Sequence, residues 1–403
     1  MFNRINFNMV STLKLTDYDV IGLDLDNTLL HYNLTNFINL QYNFMSTYLT
    51  DKKGYNKTVF PDKLTENNID FIQRGLFLDF KRGNLLHLRN DGFILKATHG
   101  SRKMEDSLIE KIYGKERKWA VTNNLLNNLL SMWDNSDTRS FLDYTDSITS
   151  LLFAQAVDAV DLQGHPEEYV VWPDVLEALV QMYQEDSSFI QAIAINLLDY
   201  MKPCDEDVRN WLQNLKKCSK LILITGSDIE VAKISLPLCL GENYSEFFDI
   251  IIYNAKKPGF FNLSRPFLTT DNEQVHDIVL GKHFKQGNWS ELFKMFAALL
   301  KKSPKCLYIG DNPLQDVFTP ATIPEKIDVI ALIEEVAAEG LYPGYPQHPH
   351  SKYISSKFWE SFLYSDQILT FYGGIIKTKA KLIIPSLKVL AEKPLDYEHK
   401  SIL

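Results

Sequence analysis

A short apolar segment that runs directly into two carboxylates is the feature of this chain that most restricts its fold. Val20-Ile21-Gly22-Leu23 is followed at once by Asp24-Leu25-Asp26-Asn27-Thr28. An apolar run of this length, bounded by polar residues, predicts a buried strand. In open α/β sheets, ligands bind at the carboxyl ends of the strands. Because alternate residues of an extended chain point to the same side, Asp24 and Asp26 are predicted to face one site together.

Later apolar runs also end in polar groups. Residues 220–225 lead into Gly226-Ser227-Asp228, residues 248–253 are followed by Lys256-Lys257-Pro258, and residues 305–309 lead into Gly310-Asp311. Short apolar runs that alternate with helical patterns predict a parallel sheet covered on both faces. The sequence therefore predicts an α/β fold with a doubly wound parallel sheet, in which these polar groups share one rim.

Between the first two of these strands the pattern changes twice. Residues 75–99 hold three apolar runs separated by turn residues, and Asp91-Gly92 is a strong hairpin signal, so a small β-meander is predicted. From residue 105 onward apolar residues recur at helical spacing, as in 123–133 and 141–160, which predicts an inserted, mainly helical cap. The predicted segments are a first part of the core with the meander (1–104), the cap (105–205), a second part of the core (206–340) and a C-terminal extension (341–403) with a closing helix over 377–390.

Composition excludes several classes of protein. The 403 residues, 45% of them hydrophobic, are enough for a large core and two domains. A net charge of −9 argues against binding to nucleic acid, and no apolar run reaches the roughly 20 residues of a membrane helix. Four cysteines without CxxC spacing predict reduced thiols and a cytoplasmic location. Arg4 and Lys14, with no acidic residue before Asp17, leave a mitochondrial leader as the alternative.

The residue types at the strand ends suit phosphoryl transfer. A phosphomonoester and a carboxylate nucleophile repel each other, so a divalent cation must neutralise both, and Mg²⁺ prefers oxygen ligands. Asp24 is the predicted nucleophile and Asp26 the predicted acid and base. The predicted metal site consists of Asp24, Asp26 through its backbone carbonyl, Asp311 and, through a water, Asp316. The predicted phosphate site consists of Thr225, Gly226, Ser227 and Lys257.

These motifs resemble the haloacid-dehalogenase superfamily and, more narrowly, the cytosolic purine 5′-nucleotidase family. The narrower resemblance covers most of residues 17–335 and rests on residues 21–30, Arg74-Gly-Leu, residues 83–86, Ala97-Thr-His-Gly100, Lys257-Pro258 and Tyr308-Ile-Gly-Asp311. It implies a haloacid-dehalogenase-like core and Mg²⁺-dependent hydrolysis of nucleoside 5′-monophosphates, with IMP and GMP preferred in the best-known branch. It also implies functional roles at Asp24, Asp26, Thr225, Ser227, Lys257 and Asp311.

Two departures from that branch keep other functions open. Gly226 stands where the branch has asparagine, and residues 199–214 lack its basic and aromatic substrate-binding cluster. A phosphatase for another small phosphorylated metabolite is therefore one alternative. A binding or regulatory protein with the same fold and little turnover is another. The expected partner is a small-molecule nucleotide or other phosphomonoester, with no nucleic acid and no membrane, and a homo-oligomer is left open.

Overall fold

The computed structural model of the chain describes residues 12–127 and 137–401. The described residues fall into two compact units. The first takes the chain up to His31, then Lys202–Glu334, and then Ile376 onward. The second takes the remainder, within Tyr32–Met201 and Glu335–Ile375. The four segment boundaries given above stay predictions.

The first unit is built on a mostly parallel sheet. Its strands are β1 (Val20–Leu23), β2 (Lys220–Ile224), β3 (Ile250–Tyr253), β4 (Phe267–Leu268), β5 (Lys282–Gln286), β6 (Cys306–Gly310), β7 (Ile327–Leu332) and β8 (Leu382–Ile384). Their order in space is β4-β5-β3-β2-β1-β6-β7-β8, and every pairing except β4 with β5 is parallel. The predicted α/β fold is therefore confirmed. The strand order reverses between β1 and β6, the place where such sheets bind ligands.

Helices and short segments complete the first unit. The helices are Glu206–Lys216, Ile229–Leu240, Gly259–Asn262, Trp289–Leu300, Thr319–Thr322 and Lys388–Ala391, with a π-helix at Pro313–Phe318 and 3₁₀ turns at Leu15–Asp17 and Tyr244–Phe247. Strands Thr12–Leu13 and His399–Lys400 pair antiparallel. Ile222 and Ile224 share one face of β2 and belong to the same core cluster as Trp289 and Leu292. Asn288 accepts a hydrogen bond from the Glu291 backbone N–H and caps the helix Trp289–Leu300.

The second unit is mainly helical. Its helices are Leu34–Asp51, Glu66–Phe71, Asp106–Tyr113, Ala120–Asn127, Ile148–Asp161, Trp172–Met182, Ser188–Ile195, Leu197–Tyr200, Glu335–Ala338 and Ser351–Ile354, with 3₁₀ turns at Lys57–Val59 and Tyr144–Asp146. Tyr364–Ser365 and Ile368–Leu369 form a small hairpin. The chain passes from one unit to the other within two short strands, His31–Tyr32 and Met201–Lys202, and within the helix Phe371–Lys379. Across the described chain, none of the helices has the combination of length and apolar character that crossing a membrane requires.

The predicted β-meander is present in the second unit. Strands Phe77–Asp79, Asn84–Leu88 and Ile94–His99 pair antiparallel, and the sheet is extended by Arg102–Lys103 on one side and Thr138–Ser140 on the other. Gly92 in the second turn has φ of +82°, a backbone region that suits glycine because it lacks Cβ. Asp91 accepts a hydrogen bond from the Phe93 backbone N–H and pairs with Arg89, which stabilises that turn.

Some predicted helical segments differ from the structure. The helix predicted over 141–160 begins only at Ile148, because a 3₁₀ turn at Tyr144–Asp146, capped by Asp143, precedes it. The closing helix over 377–390 is wrong. The apolar run Leu382–Ile384 instead forms β8 beside β7, and the proline that follows it cannot continue a helical hydrogen-bond ladder. The helix predicted over 123–133 is present as Ala120–Asn127, and its later part lies outside the described residues.

Candidate active site

The predicted site residues of the first unit follow adjacent strands at the centre of its sheet. Asp24 follows β1, Thr225 follows β2 and Asp311 follows β6. Asp24 donates its backbone N–H to the Ile309 carbonyl at 2.9 Å, and Thr225 donates its own to the Ile252 carbonyl at 3.0 Å. The sheet hydrogen bonding therefore continues through the first polar residues and holds them at one rim.

Three carboxylates meet at this rim. One oxygen each from Asp24, Asp311 and Asp316 lies within 4.8 Å of the others, and all three side chains are buried. Asp316 reaches the group from the π-helix that follows β6. It comes close because Gly310 has no side chain, since a Cβ there would lie 2.6 Å from the Asp316 Cβ. The Asn312 backbone N–H donates to Asp316 Oδ2 at 3.1 Å and holds this carboxylate in place.

Lys257 lies between two of these carboxylates. Its Nζ is 2.7 Å from Asp24 Oδ1 and 2.7 Å from Asp316 Oδ1, and its side chain is only 3% exposed. Burial opposes the charge on Lys257, but the two carboxylates outweigh it and raise its pKa well above the usual range. Burial also raises the pKa of Asp24, and the negative charges of Asp316 and Asp26 add to this while Lys257 acts against it. One lysine thus faces more negative charge than it neutralises.

Asp26 and the loop after β2 are joined by hydrogen bonds. Ser227 donates its Oγ–H to Asp26 Oδ2 at 2.6 Å and its backbone N–H to Thr225 Oγ1 at 3.0 Å. Gly226 lies between them and is exposed, and a Cβ added to it would meet no atom within 4 Å. The structure therefore brings Asp24, Asp311, Asp316 and Lys257 into one group and links Asp26 to Ser227 and Thr225.

Tyr308 is a site residue that sequence reasoning missed. It is fully buried on β6, its hydroxyl donates to the Ile224 carbonyl at 3.2 Å, and it accepts a hydrogen bond from Lys257 Nζ at 3.3 Å. Its ring packs against Gly22 of β1, where a Cβ would lie 2.7 Å from the Tyr308 ring. A glycine inside a buried strand was the signal that could have pointed to it, because such a glycine often marks a close approach.

Replacing Tyr308 with phenylalanine is expected to lower kcat/KM of a reaction catalysed at this site by about 5–10-fold, mostly through kcat. The lost hydrogen bond corresponds to about 1 kcal/mol and would leave Lys257 less firmly aimed at Asp24. Steady-state kinetics on the purified variant measures the effect. Tyr253→Phe is the matched control, since Tyr253 is equally buried on β3 but pairs with His283. Equal losses in both variants would contradict a positioning role for Tyr308.

Comparison with known proteins yields one consistent set of relatives. A model of the 5′ nucleotidase family matches residues 8–339. The chain is 31% identical to 5′-nucleotidase domain-containing protein 1 of Homo sapiens, over 97% of this chain and 93% of that protein. It is 30% identical to the protein of the same name in Bos taurus over the same shares. Identity to 5′-nucleotidase domain-containing protein 2 of Homo sapiens is 23%, over 76% of this chain and 58% of that protein.

Proposed function

The chain belongs to the 5′ nucleotidase family and is a phosphoric monoester hydrolase, and we propose that it hydrolyses nucleoside 5′-monophosphates through a phosphoryl group carried on Asp24. The observation that carries this proposal is the contact of Lys257 with both Asp24 and Asp316 inside the buried carboxylate group. Lysine at this position can neutralise an incoming phosphoryl oxygen as well as the carboxylates. The proposal assigns both catalytic carboxylates to the rim at the centre of the sheet.

Mg²⁺ is the proposed cofactor, and the residues present fit it. The donors are carboxylate oxygens, which suit a hard divalent cation, and three of them lie close enough to share one ion. Asp24, Asp311 and Asp316 would hold it, with the backbone carbonyl of Asp26 as a further ligand. When bound, Mg²⁺ supplies the positive charge that keeps Asp24 ionised despite its burial and that offsets the charge of the substrate phosphate.

The proposed reaction has two steps, both performed by residues at this rim. An Asp24 carboxylate oxygen forms a bond to phosphorus while the bond from phosphorus to the ester oxygen breaks, and Asp26 gives its proton to the departing alkoxide. Asp26 then takes a proton from water as the water oxygen bonds to phosphorus and the bond between phosphorus and the Asp24 oxygen breaks, which releases inorganic phosphate and restores the Asp24 carboxylate. The hydrogen bond from Ser227 Oγ to Asp26 Oδ2 supports this role, because it holds that carboxyl in a defined orientation.

Phosphate binding is proposed for Thr225, Gly226, Ser227 and Lys257. The exposed Gly226 leaves room for a phosphate beside its backbone N–H. Ser227 donates to Thr225 through its backbone N–H and to Asp26 through its hydroxyl, so a phosphate oxygen would compete with these partners. The proposed phosphate site therefore rests most directly on Lys257 and on the backbone of Gly226.

Chelation of divalent cations is expected to abolish phosphate release, and excess Mg²⁺ is expected to restore it. A colorimetric phosphate assay over nucleoside monophosphates and sugar phosphates, with Mg²⁺ or with EDTA, measures both cation dependence and substrate choice. EDTA already saturated with Mg²⁺ is the control for direct effects of the chelator. Phosphate release that is the same with and without EDTA would contradict the assignment of the carboxylate group to Mg²⁺.

The open space at Gly226 favours a second candidate, a phosphatase for another small phosphorylated metabolite. A side chain at this position would extend into free space next to the proposed phosphate site, where it could contact a base or sugar. Glycine cannot make that contact. The substrate screen separates the two candidates, because this one predicts release from sugar phosphates and not from nucleotides. Absence of Mg²⁺-dependent release from every substrate would favour a binding or regulatory protein.

A cytoplasmic location is part of the main proposal and is supported by four cysteines without a disulfide.

A further inference from the structure

A second group of metal-ligand side chains lies in the unit that contains the meander. His99 ends the strand Ile94–His99, Asp161 ends the helix Ile148–Asp161, and His165 lies in the segment that follows this helix. One ligand atom from each lies within 4.8 Å of the others. We propose that these three residues bind a transition-metal ion, with Zn²⁺ as the best match, at a site separate from the carboxylate group of the first unit.

The ligand atoms lie close enough together to share one ion, with the two histidines facing different oxygens of Asp161. His99 Nε2 is 3.3 Å from Asp161 Oδ2, and His165 Nδ1 is 2.9 Å from Asp161 Oδ1. Around tetrahedral zinc, with metal–ligand bonds of about 2.1 Å, neighbouring ligand atoms lie roughly 3.4 Å apart. Two imidazoles and one carboxylate favour zinc, nickel or copper over magnesium, and three protein ligands leave the fourth position for water.

Hydrogen bonds behind His99 determine which ring nitrogen is available. Tyr113 donates its hydroxyl to Asp79 Oδ2 at 2.9 Å, so its oxygen accepts from Asn84 Nδ2 at 2.8 Å. The carbonyl oxygen of Asn84 therefore faces His99 Nδ1 at 2.8 Å and requires a proton there. Neutral His99 then has the lone pair of Nε2 directed at Asp161. Metal-binding histidines are typically held in this way by an acceptor on the other ring nitrogen.

A cation between His99 and Asp161 would be bound favourably. The Nε2 lone pair of a neutral His99 would face a carboxylate oxygen at 3.3 Å. Tyr169 lies 2.9 Å from this nitrogen, but its hydroxyl donates to Asp161 Oδ1 at 2.5 Å, and one proton cannot serve both acceptors. A proton or a metal ion at this position would satisfy both the Nε2 lone pair and the carboxylate. His165 on the other side of Asp161 adds a second imidazole, which favours the metal ion.

The site is open to solvent, and the exposed guanidinium of Arg102 competes with a metal ion for Asp161. The His165 side chain is 68% exposed and that of His99 is 25% exposed, so an ion can enter from the surface. Arg102 pairs with Asp161 Oδ2 through its guanidinium, and its own side chain is 61% exposed. Metal binding would displace this guanidinium from the carboxylate. Arg102 is therefore expected to weaken metal binding, in contrast to His99 and His165.

Calorimetric titration of the full chain with Zn²⁺, after treatment with EDTA and in excess Mg²⁺, tests the proposal. His165→Ala is expected to weaken binding by on the order of 100-fold, and because this residue is exposed, the variant should fold normally. Asn84→Ala, which removes the hydrogen bond to His99 Nδ1 together with the one to Tyr113, should weaken binding by about 10-fold. Arg102→Ala should bind Zn²⁺ more tightly than the wild type, because it removes the competing cation.

Two control variants separate this site from others on the chain. His276→Ala removes an exposed histidine of the first unit and should leave binding unchanged. Asp311→Asn alters the carboxylate group and should retain the zinc equivalent that His165→Ala loses. The proposal is overturned if His165→Ala binds Zn²⁺ like the wild type, or if Asp311→Asn alone removes the binding. Neither outcome depends on whether the chain hydrolyses nucleotides.

Discussion

Asp24→Asn is expected to lower phosphate release by on the order of 10⁴-fold or more, while the protein keeps its fold. The amide cannot act as the proposed nucleophile, and it supplies neither the charge nor the anionic oxygen of the carboxylate. The change is nearly isosteric, and Lys257 retains its contact with Asp316 at 2.7 Å, so the buried lysine does not lose all its partners. Steady-state phosphate release gives the rate, and thermal unfolding monitored by circular dichroism tests the fold.

A matched control and a chemical readout make this prediction sharper. Asp19 directly precedes β1, and its carboxylate pairs with Lys302 and not with the proposed site, so Asp19→Asn should retain activity. Mass spectrometry after an acid quench should find a phosphoryl group on the Asp24 peptide of the wild type and not on the variant. Activity of Asp24→Asn within tenfold of the wild type would rule out Asp24 as the nucleophile.

Arg74→Met is expected to lower the free energy of unfolding by about 3–5 kcal/mol. Arg74 Nε lies 2.5 Å from Glu335 Oε1 and Nη2 lies 2.9 Å from Glu335 Oε2, and the two side chains are at most 1% exposed. The guanidinium carbon also lies 4.0 Å from the centre of the Tyr144 ring, and Nη1 donates to the Leu142 carbonyl. Removing the arginine leaves a buried carboxylate without its main counter-charge. Urea denaturation measures the loss.

The double variant Arg74→Met/Glu335→Leu tests whether the uncompensated charge is the cause. Replacing both partners by apolar residues removes the buried charge, so the double variant should be more stable than Arg74→Met alone. Lys233→Met breaks an exposed pair with Glu230 and should change stability by no more than about 0.5 kcal/mol. A loss in Arg74→Met as small as that in Lys233→Met would show that the buried pair contributes little.

Much of the candidate site could be predicted because it is local in the sequence. Asp24, Thr225 and Asp311 each directly follow an apolar run, and an apolar run bounded by polar residues predicts where a buried strand ends. Parallel strands present these ends at one rim, so residues far apart in the chain are expected together. The Asp-Gly turn of the meander is local in the same sense, because its φ angle requires glycine within the turn itself.

Other features were not predicted because each depends on a partner that no sequence pattern identifies. Only Phe284 of strand β5 is buried, and the charged residues of β5 leave no apolar run that would predict a strand. β5 forms because it pairs with β3 and β4. β8 lies in a segment whose sequence predicts a helix, and it forms a strand because it pairs with β7. The contact of Tyr308 with Lys257 likewise requires the backbone of Gly22 to pass beneath the ring.

The sequence by itself determined the strands β1, β2, β3 and β6, the polar residues that follow them and the family to which the chain belongs. Periodicity of two or 3.6 residues and turn chemistry are properties of neighbouring residues, so they can be seen in a single sequence. Only the tertiary structure decided that Asp316 returns to Lys257, that Arg74 meets Glu335 and that His99 meets Asp161 and His165. The residues of each of these contacts come from separate segments of the chain. Packing and hydrogen-bond geometry select such partners, and the separation of the partners along the chain follows no periodic pattern.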